Sequence, residues 1–273
     1  MNRYTWRTGI LEAVMILVAL IFVFPVVILV NIALRSPSDQ TSPLLPPAQP
    51  SFDNFVQAWE GAHLGGAIVN SAIVAVVSVV LLVAFSAAAA YPLARLTARW
   101  SKLVYGLFMA GLLLPFQLAM IPLYAMIRDL GLIGSVWGLV IFYVGVQMPF
   151  SVFLYAQFLR SLPHDYEEAA LIDGCGPVRG YFSVVFPLLR PVTGTVAILN
   201  AIFVWNDFLT PLLYLSGSGT VTIPVALYGF VGDYVQQWNL VFAGLLISSA
   251  PVLIVYFLMQ RSIIKGFAGG LKG

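Results

Sequence analysis

Glu167-Glu168-Ala169-Ala170-Leu171-Ile172-Asp173-Gly174, running on through Gly176-Pro177 to Phe186-Pro187, is a polar stretch in an otherwise oily chain. Proline can open a helix, because its missing N–H would have no partner in the first turn. Pro163 is therefore read as the start of a helix. Asp165, Glu167 and Glu168 then fall where carboxylates meet the positive end of the helix dipole. Gly174 is a natural stop, since the residue just past a helix end commonly takes left-handed dihedrals. Gly176 and Pro177 let a second helix begin at once. The expectation is a short helix, a sharp bend and a second short helix over 160–190. Ala169 and Ala170 leave the charged face open to close approach by another surface. Interfacial helices that only join two membrane spans are the other reading of the same residues.

Outward from this elbow, apolar residues make up 60% of the 273 and charged ones only 9%, against roughly 25% charged in globular proteins. The class is an all-α integral membrane protein. A net charge of +2 is too small to argue for nucleic acid. The single cysteine, Cys175, cannot form an internal disulfide and reads as a small filler between two glycines. His63 and His164 have no partners at metal-ligand spacing, so no metal is expected.

Six spans are expected. The first runs about 10–34 and is too long for a signal-peptide core. A proline-rich external loop follows, with a short surface helix near Phe52-Asp53-Asn54-Phe55. The second span, about 68–93, carries Ser86-Ala87-Ala88-Ala89-Ala90, a small-residue run that permits close helix packing. The third, about 103–124, holds Pro115, Gln117 and Pro122. The fourth, about 136–158, holds Gln147 and Pro149. Both read as broken helices, which are tolerated where they face protein or a water-filled path; simple packing kinks are the alternative. The fifth covers about 192–215, and an external loop to about 237 precedes the sixth, about 240–259. By organisation, 1–66 is an N-terminal span with its loop, 67–262 the membrane-spanning core, and 263–273 a tail.

Six spans put both termini on one side. Arg3, Arg7, Arg95, Arg99, Lys102, Arg160, Arg179, Arg190, Arg261, Lys265 and Lys272 then share that side with the elbow, leaving only Arg35 and Arg128 outside. The positive-inside rule makes the termini and the elbow cytoplasmic.

Asp207, in Trp205-Asn206-Asp207-Phe208, is the clearest acid within a span. An ionised Asp at mid-bilayer costs about 2.5–3.5 kcal/mol on insertion scales, so it should face a cavity or a protein partner. Asn200 and Asn206, with Gln117 and Gln147, could hydrogen-bond a neutral polyhydroxylated solute along a translocation path. Interhelical bonds that hold the bundle together would use the same amides. Gly217-Ser218-Gly219 is not a phosphate cradle, because no Lys follows in register, and no nucleotide-binding loop occurs elsewhere. The chain is therefore not read as an enzyme.

The spacing of Glu168-Ala169-Ala170, Gly174, Val184, Phe186 and Pro187 resembles the cytoplasmic EAA loop of permease subunits of ABC importers. Val184 and Phe186 depart mildly from the usual Ile and Leu. The segment from Phe203 to Leu209, with Pro211-Leu212, and the tail Gly269-Gly270-Leu271-Lys272-Gly273 are similar to the carbohydrate, maltose-type class, and to the shorter of its two membrane subunits. The likeness implies that the elbow seats in a cytoplasmic ATP-binding subunit, present as a dimer that holds ATP and magnesium. Glu168 would make a polar contact there, Ala169 and Ala170 would allow close seating, and Asp173, Gly174 and Pro187 complete the motif. It also implies a second permease subunit, a different chain. An extracytoplasmic solute-binding protein would be touched by Ser216, Gly217, Ser218 and Gly219. The cargo would be a sugar or oligosaccharide, with a polyamine, phosphate ester or amino acid as alternatives. A self-contained secondary carrier would need inverted repeats and intramembrane charge pairs, which are not evident.

Overall fold

The computed structural model describes residues 5–37, 39, 42–47, 49–233 and 237–270, with the backbone only at 255, 256 and 258–270. Arg3, Lys272 and the tail residues 271–273 lie outside that range. The described chain is helical, without strands. In order it forms α1 (Trp6–Ala33), α2 (Asp53–Gly61), α3 (Leu64–Arg95), α4 (Arg99–Leu113), a 3-10 turn (Phe116–Ala119), α5 (Met120–Asp129) and α6 (Val136–Ser161). Then come α7 (Asp165–Ile172), α8 (Pro177–Gly180), a π turn (Tyr181–Val185), α9 (Phe186–Leu188), α10 (Arg190–Asn206), α11 (Leu209–Tyr214), α12 (Ile223–Asp233) and α13 (Trp238–Gly270).

Among the described residues, three helices, α1, α3 and α6, are long and apolar enough to cross a bilayer alone. Two bent pairs have the same composition. The α4 helix and the 3-10–α5 segment meet at 95°, and Pro177–Leu188 meets α10 at 72°. The first bend is where Pro115 was expected to break the third span. Leu114 and Pro115 are extended there, because a proline disfavours the helical region for its predecessor. The fourth span corrects the expectation of a broken helix: α6 runs through Pro149 without interruption. Its buried face extends to both sides of the proline, with Tyr143 before it and Ser151, Val152 and Tyr155 after it. One lost backbone bond is outweighed by that packing. The segment read as an external loop from Ser216 contains α12, a helix of 11 residues.

The chain divides into two compact units, Met1–Gly65 with Val225–Leu253, and Gly66–Pro224 with Ile254–Gly273. In the first, Asn54 of α2 donates to the carbonyls of Ala33 and Arg35 at 2.8 and 2.7 Å, satisfying acceptors left over at the end of α1. Asn239 of α13 donates to the Asn54 side-chain oxygen at 2.8 Å. The Arg35 guanidinium gathers the loop after α1 by bonding the Ser42 and Leu45 carbonyls. In the second, two apolar clusters form the core. One joins Ala87 and Ala90 of α3 to Val152, Tyr155 and Leu159 of α6 and to Val185, Leu189 and Val196. The small-residue run of α3 thus lies at a close helix contact. The other gathers Phe142, Tyr143, Val204, Tyr214 and Leu215, with Phe116 and Phe203 against it.

Candidate functional site: the elbow between α6 and α10

His164 is the N-cap of α7, and its carbonyl accepts from the Glu167 and Glu168 amides at 2.9 and 3.1 Å. Pro163 stands just ahead of the cap rather than inside the helix. Asp165, Glu167 and Glu168 occupy the first turn, as the dipole favours. At the other end the chain reverses through Gly174, whose φ is +78°. The Cys175 amide bonds the Ala170 carbonyl at 2.9 Å and the Gly174 amide bonds that of Leu171 at 3.0 Å, the paired bonds of a Schellman stop. Pro177 opens α8 at its first position. The second limb was not foreseen in detail. Over Tyr181–Val185 it widens into a π turn, closed by the Phe186 amide on the Tyr181 carbonyl. A proline ring clashes with the carbonyl four residues earlier in α register, and Pro187 stands just beyond this turn, where the wider register relieves the clash.

The six residues assigned to coupling divide by exposure. Glu168, Ala169, Asp173 and Gly174 are exposed, whereas Ala170 is buried and Pro187 half-buried. Beside the exposed set lie large apolar side chains, with Ile172 86% exposed and Leu171, Val178 and Phe182 also open. The elbow therefore presents a mixed acidic and apolar face that its own chain leaves uncovered. Glu167 points the other way. Its carboxylate accepts from Arg95 Nε at 2.8 Å and from the Tyr91 hydroxyl at 3.2 Å, both on the last turns of α3. A hollow of ≈ 240 Å³ lies inside the elbow, lined by Tyr91, Glu167, Ala170, Cys175, Pro177 and Val185 among others. Neither Tyr91 nor Arg95 was marked by the sequence reading as part of the site. Their spacing of one helical turn puts them on one face of α3 but names no partner.

The five residues assigned to the path are not joined to one another by any hydrogen bond among the described residues. Gln117 is exposed beside the α4–α5 bend, and Gln147 is half-buried on α6. Asn200 is fully buried and donates to Ser151 Oγ at 3.0 Å and to the Val196 carbonyl at 2.8 Å, a bond between α10 and α6. Asn206 is exposed and bonds back to Ile202 on its own helix at 2.8 Å. Asp207 stands at the break between α10 and α11. One oxygen accepts from the buried Tyr143 hydroxyl at 3.0 Å, and the other caps α11 through the Leu209 and Thr210 amides at 3.1 and 3.4 Å. Both Asn200 and Asp207 therefore bridge helices.

Just after α11, Ser216–Gly219 forms an exposed tight turn. Gly217 and Gly219 have φ of +76° and +72°, and Ser218 Oγ donates to the Leu215 carbonyl at 2.7 Å. The Gly134 amide bonds the Tyr214 carbonyl at 2.7 Å, which fixes this turn over the corner between α5 and α6.

The elbow between α6 and α10 is thus an exposed helix-turn-helix that carries acidic and large apolar side chains on one face. Comparison with known proteins makes the class definite. The model of the binding-protein-dependent transport system inner membrane component family matches residues 81–267, and the chain belongs to that family. It is the permease subunit of an ABC importer. It is 35% identical to the melibiose/raffinose/stachyose import permease protein of Bacillus subtilis (strain 168), over 98% of this chain and 99% of that one. To the probable starch degradation products transport system permease protein of Thermoanaerobacterium thermosulfurigenes it is 37% identical over 93% of each chain. The diacetylchitobiose uptake system permease protein of Streptomyces coelicolor is 35% identical over 96% of this chain and 88% of its own. A chain of a bacterial ABC transporter that imports the acidic polysaccharide alginate has the same fold, with a TM-score of 0.82 at 23% identity over 96% of this chain and 99% of that one.

Proposed function

We propose that this chain carries a neutral di- or oligosaccharide across the cytoplasmic membrane, as one of two different permease subunits. The observation that carries the cargo assignment is the end-to-end similarity to relatives named for melibiose, raffinose, stachyose, starch products and diacetylchitobiose. The absence of Lys and Arg from the middle of the spans agrees with an uncharged cargo.

In this reading the elbow faces the cytoplasm, together with most of the basic residues. Its exposed face of Glu168, Ala169, Leu171, Ile172 and Asp173 seats in one subunit of an ATP-binding dimer. ATP and magnesium reside on that partner, and this chain performs no hydrolysis. A solute-binding protein docks outside, where the Ser216–Gly219 turn meets it. Closure of the ATPase pair moves the elbow, and the spans rock between inward- and outward-facing states. In all, six spans cross, with α13 as the last. Gln117, Gln147 and Asn206 face the solute path, while Asn200 and Asp207 hold the helices that frame it.

The test is uptake of radiolabelled raffinose, maltotriose, putrescine, glycerol 3-phosphate and glutamine in a strain lacking this chain and in the complemented strain. Loss and recovery of saccharide uptake alone is the expected result. Loss of putrescine, phosphate ester or amino acid uptake instead replaces the cargo assignment.

A further inference from the structure

The two adjacent glutamates of the elbow have different surroundings. Glu168 is exposed, while Glu167 is turned inward onto the end of α3. The Arg95 side chain is only 8% exposed and touches three helix ends at once. It belongs to the last turn of α3, its Nε bonds Glu167 in the first turn of α7, and its Nη2 donates to the carbonyl of Leu162, which caps α6, at 3.2 Å. A guanidinium is suited to this, since its planar fork presents several donors in fixed directions. One turn earlier, Tyr91 holds the second Glu167 oxygen, and its ring lies 5.4 Å from that of Tyr181 on the other limb of the elbow. Both limbs are thus tied to the same end of α3. Beyond it, Ser101 of α4 donates to the Pro92 and Leu93 carbonyls at 3.2 and 3.3 Å, fastening the start of α4 to the same point.

We propose that Arg95 is a positioning residue that makes the elbow and the end of α3 a single rigid body, so that displacement of the elbow enters α3 directly. Without this tie, movement of α7 would be absorbed at the Leu162–Pro163 joint, where the chain leaves α6 in extended backbone. The inference rests on the coupling role proposed for the elbow. Its own content is that transmission runs through the Arg95–Glu167 pair.

The experiment uses the complete importer reconstituted in liposomes with its ATP-binding subunits and binding protein. Solute moved per ATP hydrolysed is measured for the wild type, Arg95→Ala, Glu167→Gln and the conservative variant Arg95→Lys. Arg95→Ala and Glu167→Gln are expected to retain the ATP-binding subunits and hydrolyse ATP, while solute per ATP falls about tenfold, in the range typical of coupling changes. Arg95→Lys, which keeps the charge facing Glu167, retains most of the ratio. A wild-type ratio in Arg95→Ala overturns the inference. A fall of the same size in Arg95→Lys also overturns it, as does loss of the ATP-binding subunits from both Arg95→Ala and Glu167→Gln, which would make the contact a matter of assembly only. Failure of the underlying reading is distinct: the wild-type complex itself would then show no transport-linked hydrolysis.

Discussion

Gly174 carries the sharpest demand placed on any one residue of the elbow. Its φ of +78° lies in the left-handed region, where a side chain costs roughly 1–2 kcal/mol. No atom lies within 4 Å of a Cβ built there, so the strain is in the backbone and not in a clash. Gly174→Asp is therefore expected to leave the chain inserted, while uptake falls and the ATP-binding subunit is held less firmly. Uptake and pull-down from the same membranes, at equal abundance of the variant, measure the two effects. Asp207 makes the opposite kind of prediction. Its oxygens serve Tyr143 and the first amides of α11, so Asp207→Ala leaves a buried hydroxyl and a helix end without partners. A lost buried partner costs about 1–3 kcal/mol, which should lower the thermal unfolding midpoint in detergent. Asp207→Asn, which keeps an acceptor oxygen, should lose less.

Among elements, the corner between α5 and α6 is the tightest contact of glycine with backbone. A Cβ on Gly138 would lie 2.5 Å from the Leu132 carbonyl oxygen and 3.1 Å from Ile127. Gly138→Ala must push the two helices apart at a cost of roughly 1–3 kcal/mol, and a lower thermal unfolding midpoint without a change in helix content by circular dichroism is the expected outcome. The elements also show what a sequence can and cannot disclose. The α7 helix, its glycine stop and the proline start of α8 follow from local chemistry and were legible residue by residue. The 95° bend at Pro115 was legible for the same reason. Continuity of α6 through Pro149 was not, because it depends on side chains packed from other helices. The π turn before Pro187 was hidden in a register choice that no periodicity reveals. Arg95 read as the basic end of a span, and nothing local tells that it bonds residues some seventy positions away. For Asp207, sequence left a cavity and a protein partner both open; only the fold brings Tyr143 to it.

At the scale of the whole molecule, the proposed orientation puts the elbow and the Ser216–Gly219 turn on opposite faces of the membrane. Cys175 is the single cysteine, so Cys175→Ser gives a background free of thiols. On it, Ile172→Cys should react with a membrane-impermeant maleimide only in inverted vesicles stripped of the ATP-binding subunit, and Ser218→Cys only in whole cells with a permeable outer layer. The reverse pattern would invert the topology. The proposed function makes this permease one part of an importer whose energy comes from a separate ATP-binding subunit. Its most direct test is purification of the tagged chain from its native membrane in mild detergent, with crosslinking, followed by mass spectrometry. Recovery of an ATP-binding subunit and a second, different permease, with the ATP-binding subunit alone reduced by Gly174→Asp, is the expected result. Recovery of the chain alone under crosslinking would contradict it.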